Sequence, residues 1–436
     1  MVFQLRQPLY DPPVRTQVVK FLRLFVVGAL EKALLMLVLS GGLRVVLKFV
    51  EDDFDLYPLH PLVLVECLHS IFVLNLVPLK SDFCRVLLKY GVVFWMAVLL
   101  HRLTRPGFTI PPGHGITDAD VNAAITHAME VFLFFSVLEP RVRINIAHTD
   151  LFKILIKTFH HVDITRRLNI LKFFKQMSCI GDILPRLYKA EIIEFLYRLL
   201  ETTTATTLSD FDKIINSVAP ILYNCCYLNH RRETELVALG AVPYLKELAL
   251  LKLHSRQFIL PIFCELVHCD DLVRDELRQH NALPVYWQLV LDPYWQSNAL
   301  DLLLHWSQGK DGSIAVELSQ AVDCLRRGFL LPKVANIEAT VDAFYRLFAA
   351  HPKLVAALYD PGIINSILHK MHEHQANVVV QVSLLRILKI FVAHGAAGAG
   401  GLGDVGDRIR HTLSKQVASS LLVRELTGEV TALITQ

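Results

Sequence analysis

An all-α chain of stacked helical repeats is the fold this sequence predicts, and three observations carry the prediction. Of its 436 residues, 53% are hydrophobic and 19% are charged, enough apolar surface to bury a large core and too much for a disordered chain. Apolar residues recur three and four apart, which is the period of a helix with one buried face. One phrase also returns along the chain: an apolar helix end, one or two small or turn-forming residues, then a fresh amphipathic helix.

The clearest copy runs from Leu236 to Leu248. Gly240 can end one helix in a left-handed conformation, Pro243 fits the first turn of the next, and Val242, Leu245 and Leu248 then share a face. Further copies sit at Gly41-Gly42, Gly91, Thr149-Asp150, Ala190-Glu191, Asn281-Ala282, Gly328 and Pro361-Gly362. From Gly42 to Gly362 the mean interval is about 46 residues, within the range of armadillo and HEAT units, with extremes of about 59 and about 34. Each unit exposes an apolar stripe that only its neighbours can cover. The expected product is an armadillo/HEAT-like α-solenoid, a superhelix whose concave face suits extended partners.

Three breaks divide the chain. Thr104 to Asp118 is dense in Pro and Gly, Glu201 to Asp210 is Thr-rich, and His394 to Asp404 is Gly/Ala-rich and is expected to be a mobile loop. The organisation read from them is N-terminal helical repeats over 1–103, a loop over 104–118, armadillo/HEAT-like repeats over 119–393, a Gly/Ala-rich loop over 394–404 and C-terminal helices over 405–436.

Charge and hydropathy exclude several classes of function. The balance of 44 basic against 41 acidic side chains, a net +3, is too small for a nucleic-acid footprint. The basic pairs Arg166-Arg167, Arg231-Arg232 and Arg326-Arg327 read as solvated helix ends. Mean hydropathy is high at +0.41, but the longest run without a charged residue, Ile214 to His230, carries Asn216, Ser217, Asn224 and Asn229, so no membrane span is expected. Arg6, Arg15, Lys20 and Arg23 interrupt the apolar start, which argues against a signal peptide. The eight cysteines then read as small buried hydrophobes in a reducing compartment.

No motif for catalysis, a cofactor or a metal emerges. Gly113-His114-Gly115 follows no strand and lies beside Pro111 and Pro112, so it reads as a plain loop. His369, His372 and Glu373 have helical spacing, yet a polar helix end explains them. Cys264 and His268 lack a second ligand cluster, and Cys225-Cys226 sits in apolar helical text, where a thiol is inert. The aromatic residues Tyr286, Trp287, Tyr294, Trp295 and Trp306 cluster in a short window. They are either core between stacked helices or anchors of a protein-binding surface.

In the same window, Gln257 to Gln308 resembles the armadillo region of the septation and mitotic-exit Ser/Thr kinases, the septation protein H and plant MAP kinase kinase kinase epsilon types. Arg274 to Arg278, Leu283 to Val290, Tyr294-Trp295 and Ala299-Leu300-Asp301 carry the resemblance, which is close from Leu236 to about Gln320 and looser elsewhere. The family's kinase domain has no counterpart: the Gly-rich loop, the V-A-I-K lysine, the H-R-D loop and D-F-G are all missing, so no enzyme activity is expected of this chain. The resemblance implies a scaffold or regulatory role in cytokinesis or mitotic exit. It also implies a small GTPase or a kinase as protein partner and a cytoplasmic location at the spindle pole or septum. Two alternatives stay open: the regulatory fragment of such a kinase, and a transport adaptor of armadillo type, for which the regular Trp/Asn ladder is absent.

Overall fold

The computed structural model describes residues 12–28, 31–76, 80–203, 208–251, 253–307, 318–331, 334–396, 403–415 and 420–435. The middle of the Thr-rich stretch (204–207) and most of the Gly/Ala-rich segment (397–402) lie outside the described residues, as does Gln308, the end of the resembling window. Among the described residues every regular element is helical. The chain divides into two units, Met1–Leu239 with Leu253–Ile259, and Gly240–Lys252 with Leu260–Gln436.

The repeat is visible in the long helices of each unit. In the first they are Leu59–Val73, Asp118–Ser136, Ile164–Ser178 and Leu208–Cys226, with start-to-start intervals of 59, 46 and 44 residues. In the second they are Gln296–Ser307, Ile337–Ala350, Val378–Ala396 and Leu421–Thr435, at intervals of 41, 41 and 43. The widest interval contains the Pro/Gly-rich loop between Val92–Thr104 and Asp118–Ser136, which is therefore an insertion into one repeat. Successive long helices pack side by side within each unit, the arrangement of an α-solenoid.

Polar bonds cross from layer to layer at the same period. In the first unit Arg166 donates to the Asn122 carbonyl at 3.2 Å and Asn224 donates to Ser178 Oγ at 3.0 Å, spanning 44 and 46 residues. In the second, His351 meets Ser307 at 2.6 Å across 44 residues, Asn377 donates to Glu338 at 2.8 Å across 39, and Lys389 pairs with Glu429 at 2.9 Å across 40. Apolar packing fills the layers between. Phe132, Phe173, Phe174 and Phe195 form a ring-to-ring chain in the first unit, and Phe329, Phe344, Phe348 and Phe391 form another in the second.

The junctions show why the recurring phrase works. Gly41, Gly91 and Gly240 have φ of 72°, 66° and 92°, and the non-glycine residues Glu191 and Asn281 reach 64° and 51°. Each is followed within two residues by a new helix; the left-handed residue stops one helix and aims the chain at the next. Val242, Leu245 and Leu248 are all buried, as their spacing predicts. Gly328 serves differently. It lies inside Leu318–Phe329, where an added Cβ would stand 2.7 Å from Val290 Cγ1 and 3.0 Å from Gln296 Nε2, so its lack of a side chain permits close packing and not a turn.

Several turns carry a second device that corrects the reading of the basic pairs. Asp163, Asn229 and Asp270 cap the helices that follow them. An arginine a few residues later folds back onto the carbonyls of the preceding element. Arg167 donates to Phe159 and Val162, Arg232 to Cys225, and Arg274 to Val267 and Cys269, at 2.8–3.2 Å. Arg167 and Arg232 are thus clamps on otherwise orphaned helix ends, whereas Arg327 makes an exposed i,i+4 pair with Asp323.

By length and composition Val378–Gly395 is apolar enough to cross a membrane, although Arg386 and Lys389 interrupt it. It is 61% buried, between Ile337–Ala350 and Leu421–Thr435, as a core helix of the stack is.

Candidate protein-binding surface

The aromatic window splits into core and surface. Tyr286, Trp287 and Trp306 are 0%, 1% and 3% exposed, which removes them as anchors. Leu283–Leu289 is a short helix covered on more than one face, so adjacent positions are buried together. The Tyr286 hydroxyl donates to the Phe263 carbonyl at 2.9 Å, and its ring contacts Phe263 and Trp306 at 5.2 and 5.9 Å between centroids. Arg278 lies over the outer side of Trp306 at 5.5 Å. No partner could reach these rings in the folded state.

Tyr294 and Trp295 stand apart from that cluster. Tyr294 is 73% exposed, Trp295 is half-buried, and their rings meet edge to face at 5.6 Å. The segment that carries them is held from below. Gln296, only 1% exposed, donates through Nε2 to the carbonyls of Val290 and Gly328, both at 2.8 Å. The Ala335 N–H bonds the Pro293 carbonyl at 2.9 Å, and the Tyr294 N–H bonds Asp292 Oδ1 at 3.0 Å. Two aromatic side chains on a rigid base can bury area with little loss of conformational entropy on binding.

The remaining sequence candidates take structural places. Gly113 and Gly115 lie in the loop that leads to Thr117, which forms a capping box with Asp120 at the start of Asp118–Ser136. His369 and Glu373 form an exposed pair at 3.5 Å at the end of Pro361–Glu373, where His372 meets Gln375. Cys225 and Cys226 are buried, and burial pushes the Cys225 thiol up to about 12 and Cys226 well above its ordinary value, which keeps both thiols protonated. Cys264 is buried beside Tyr286. Seven of the eight cysteines are buried, Cys179 being exposed.

Histidine pairs, which sequence reasoning missed, sit between layers of the first unit. His69 and His127 stack at 4.0 Å with rings 11° from parallel, and His69 Nε2 bonds the Glu130 carboxylate. His101 Nδ1 meets Thr158 Oγ1 at 3.3 Å, with His161 beyond it. Burial, joined by His69, holds His127 below its ordinary value; burial, joined by Arg105, His161 and Lys157, does the same to His101. A depressed imidazole binds fewer protons folded than unfolded, so its stabilising contribution is complete above its unfolded pKa and is lost as pH falls. Burial raises the carboxyls of Glu66 and Asp301, which act in the opposite sense at lower pH, so the informative quantity is a difference. We expect His127→Asn to lose less melting temperature than the parent between about pH 7.5 and about pH 5.5. Equal losses in thermal melts would refute that assignment.

Comparison with known proteins places the chain among relatives. No protein-family model matches it. It is 27% identical over 363 residues to the cytokinesis protein sepH of Aspergillus terreus, a match covering 81% of this chain and 26% of that protein. It is 30% identical over 223 residues to MAP3K epsilon protein kinase 2 of Arabidopsis thaliana, covering 50% of this chain and 15% of the relative. A crystal structure of an engineered protein, 15% identical, covers 100% of this chain and 98% of its own with a TM-score of 0.58, a likeness of fold alone. The chain spans about a quarter of the length of the first curated relatives it matches. The resemblance carried by Gln257 to Gln308 thus extends over about four-fifths of this α-solenoid, and the homologues it leads to are the septation and MAP3K epsilon proteins.

Proposed function

We propose that this chain is a protein-docking scaffold of a cytokinesis or mitotic-exit signalling pathway, and that Tyr294 and Trp295 are anchors of its binding surface. The observation that carries the reading is the alignment of 81% of the chain with a curated cytokinesis protein, joined to the stacked-helix architecture within each unit. The role is recruitment: the solenoid holds a small GTPase or kinase of that pathway in the cytoplasm at the spindle pole or septum. The short matched share of each relative supports a second reading, in which the chain corresponds to the regulatory region of a Ser/Thr kinase whose catalytic domain lies elsewhere.

A pull-down with the purified chain from dividing cells, read by mass spectrometry and a kinase assay on the eluate, tests both. A recovered pathway GTPase or kinase supports docking, and recovery of unrelated cargo overturns the pathway assignment. Tyr294→Ser combined with Trp295→Ala is expected to weaken capture by roughly tenfold or more, as loss of paired aromatic anchors does. The melting temperature should stay within about 2 °C of the parent, since the Tyr294 ring is exposed and Gln296 holds the backbone. Unchanged capture by the double variant would remove this surface from the proposal.

A further inference from the structure

In the second unit a groove of 580 Å³ opens where three successive long helices lie side by side. Its lining includes the apolar Phe348, Val355, Ile390 and Leu426 together with Tyr345 and Arg386. The volume lies in the range of peptide and small-ligand sites. Its charge is unbalanced in one direction. Lys389 is neutralised by Glu429 at 2.9 Å, and Arg346, outside the lining, is shared by Asp301 and Asp342. Arg386 rests over the Tyr345 ring at 5.4 Å, and none of the ion pairs among the described residues includes it. A guanidinium over an aromatic face, in the lining of a groove that includes no acid, suits a carboxylate.

We propose that this groove binds a short acidic peptide segment of a partner protein, one that places an Asp or Glu beside a Leu, Ile or Phe. The carboxylate pairs with Arg386 and the apolar side chain enters between Phe348, Ile390 and Leu426. The proposal rests on the docking reading above and gives it a second contact, remote in sequence from Tyr294 and Trp295. Sequence reasoning passed over Arg386 because a cation in an apolar helix reads as an interruption.

The test is selection of random 12-residue peptides displayed on phage against the full chain. Recovered sequences are expected to carry an acidic residue within two positions of a large aliphatic or aromatic one. Synthetic copies measured by fluorescence anisotropy should bind the Arg386→Gln variant about tenfold more weakly than the parent, the loss expected of one charge-assisted contact. Ile390→Asp should abolish binding, and Arg424→Gln on the exposed part of Leu421–Thr435 should leave it unchanged. Melting curves of each variant separate loss of the site from loss of the fold. Basic or uncharged peptides, acidic peptides indifferent to Arg386→Gln, or no enrichment at all would each overturn the groove. Peptides lost only with the Tyr294/Trp295 variant would overturn it while leaving the docking reading intact.

Discussion

Trp287→Ala is expected to cost about 3–5 kcal/mol, the range for truncating a fully buried large aromatic residue. That is a large fraction of the about 5–15 kcal/mol by which folded domains are stable. The indole is 1% exposed within a seven-residue helix, so the surrounding structure has little freedom to collapse into the space. The comparison variant is Trp287→Phe. Indole Nε1 has no hydrogen-bond partner among the described residues, so phenylalanine forfeits area and no polar contact, for a cost of roughly 1–2 kcal/mol. Urea unfolding followed by far-UV circular dichroism measures both. An alanine variant within about 1 kcal/mol of the parent would contradict the core position of Trp287.

Gln296→Leu carries the second large effect. The side-chain amide spends both protons on backbone carbonyls, one at Val290 and one at Gly328. Leucine matches its volume and removes both bonds. Gly328 keeps the Leu331 N–H at 3.2 Å, so the chief penalty is the buried Val290 carbonyl; Gln296 Oε1 has no partner among the described residues, and its removal offsets part of the loss, leaving a sum of about 1–2 kcal/mol. Because Gln296 underlies Tyr294 and Trp295, the variant should also change the Trp295 fluorescence anisotropy in the folded state, read as the difference from a Trp295→Phe counterpart since the chain has four tryptophans. Wild-type stability with unchanged anisotropy would show that the amide does not hold the segment. A parallel arrangement supports the assignment: Gln381, also buried near the start of a long helix, donates to the Met371 and His374 carbonyls at 2.6 and 3.0 Å.

The stack itself was legible because its signals are local. Gly41, Gly91, Gly240, Asn281 and Glu191 were found as interruptions of apolar periodicity, and each adopts the left-handed conformation that ends a helix. The insertion between the helices ending at Thr104 and starting at Asp118 was legible in its Pro and Gly content. What failed depends on neighbours distant in sequence. The aromatic window could not be sorted, since whether Trp287 or Tyr294 faces solvent is decided by the adjacent layers and not by the local sequence. Gly328 resembles a turn until Val290 and Gln296 are seen against it. The arginine clamps were misread because a basic pair at a helix end looks the same whether it points to water or back to a carbonyl.

Those clamps have a consequence for how the chain can lengthen. An arginine side chain has a limited reach, and at Arg167, Arg232 and Arg274 it meets carbonyls at 2.8–3.2 Å. The side chain acts as a gauge of its turn: one extra residue between cap and clamp would pull the guanidinium off its acceptors and leave the helix end bare. The loop that carries the widest repeat interval is closed by the Thr117 capping box, which is satisfied within its own four residues. Extra chain can accumulate ahead of such a box without disturbing it, so growth of the repeat is admitted at the self-contained cap and resisted wherever an arginine measures the corner.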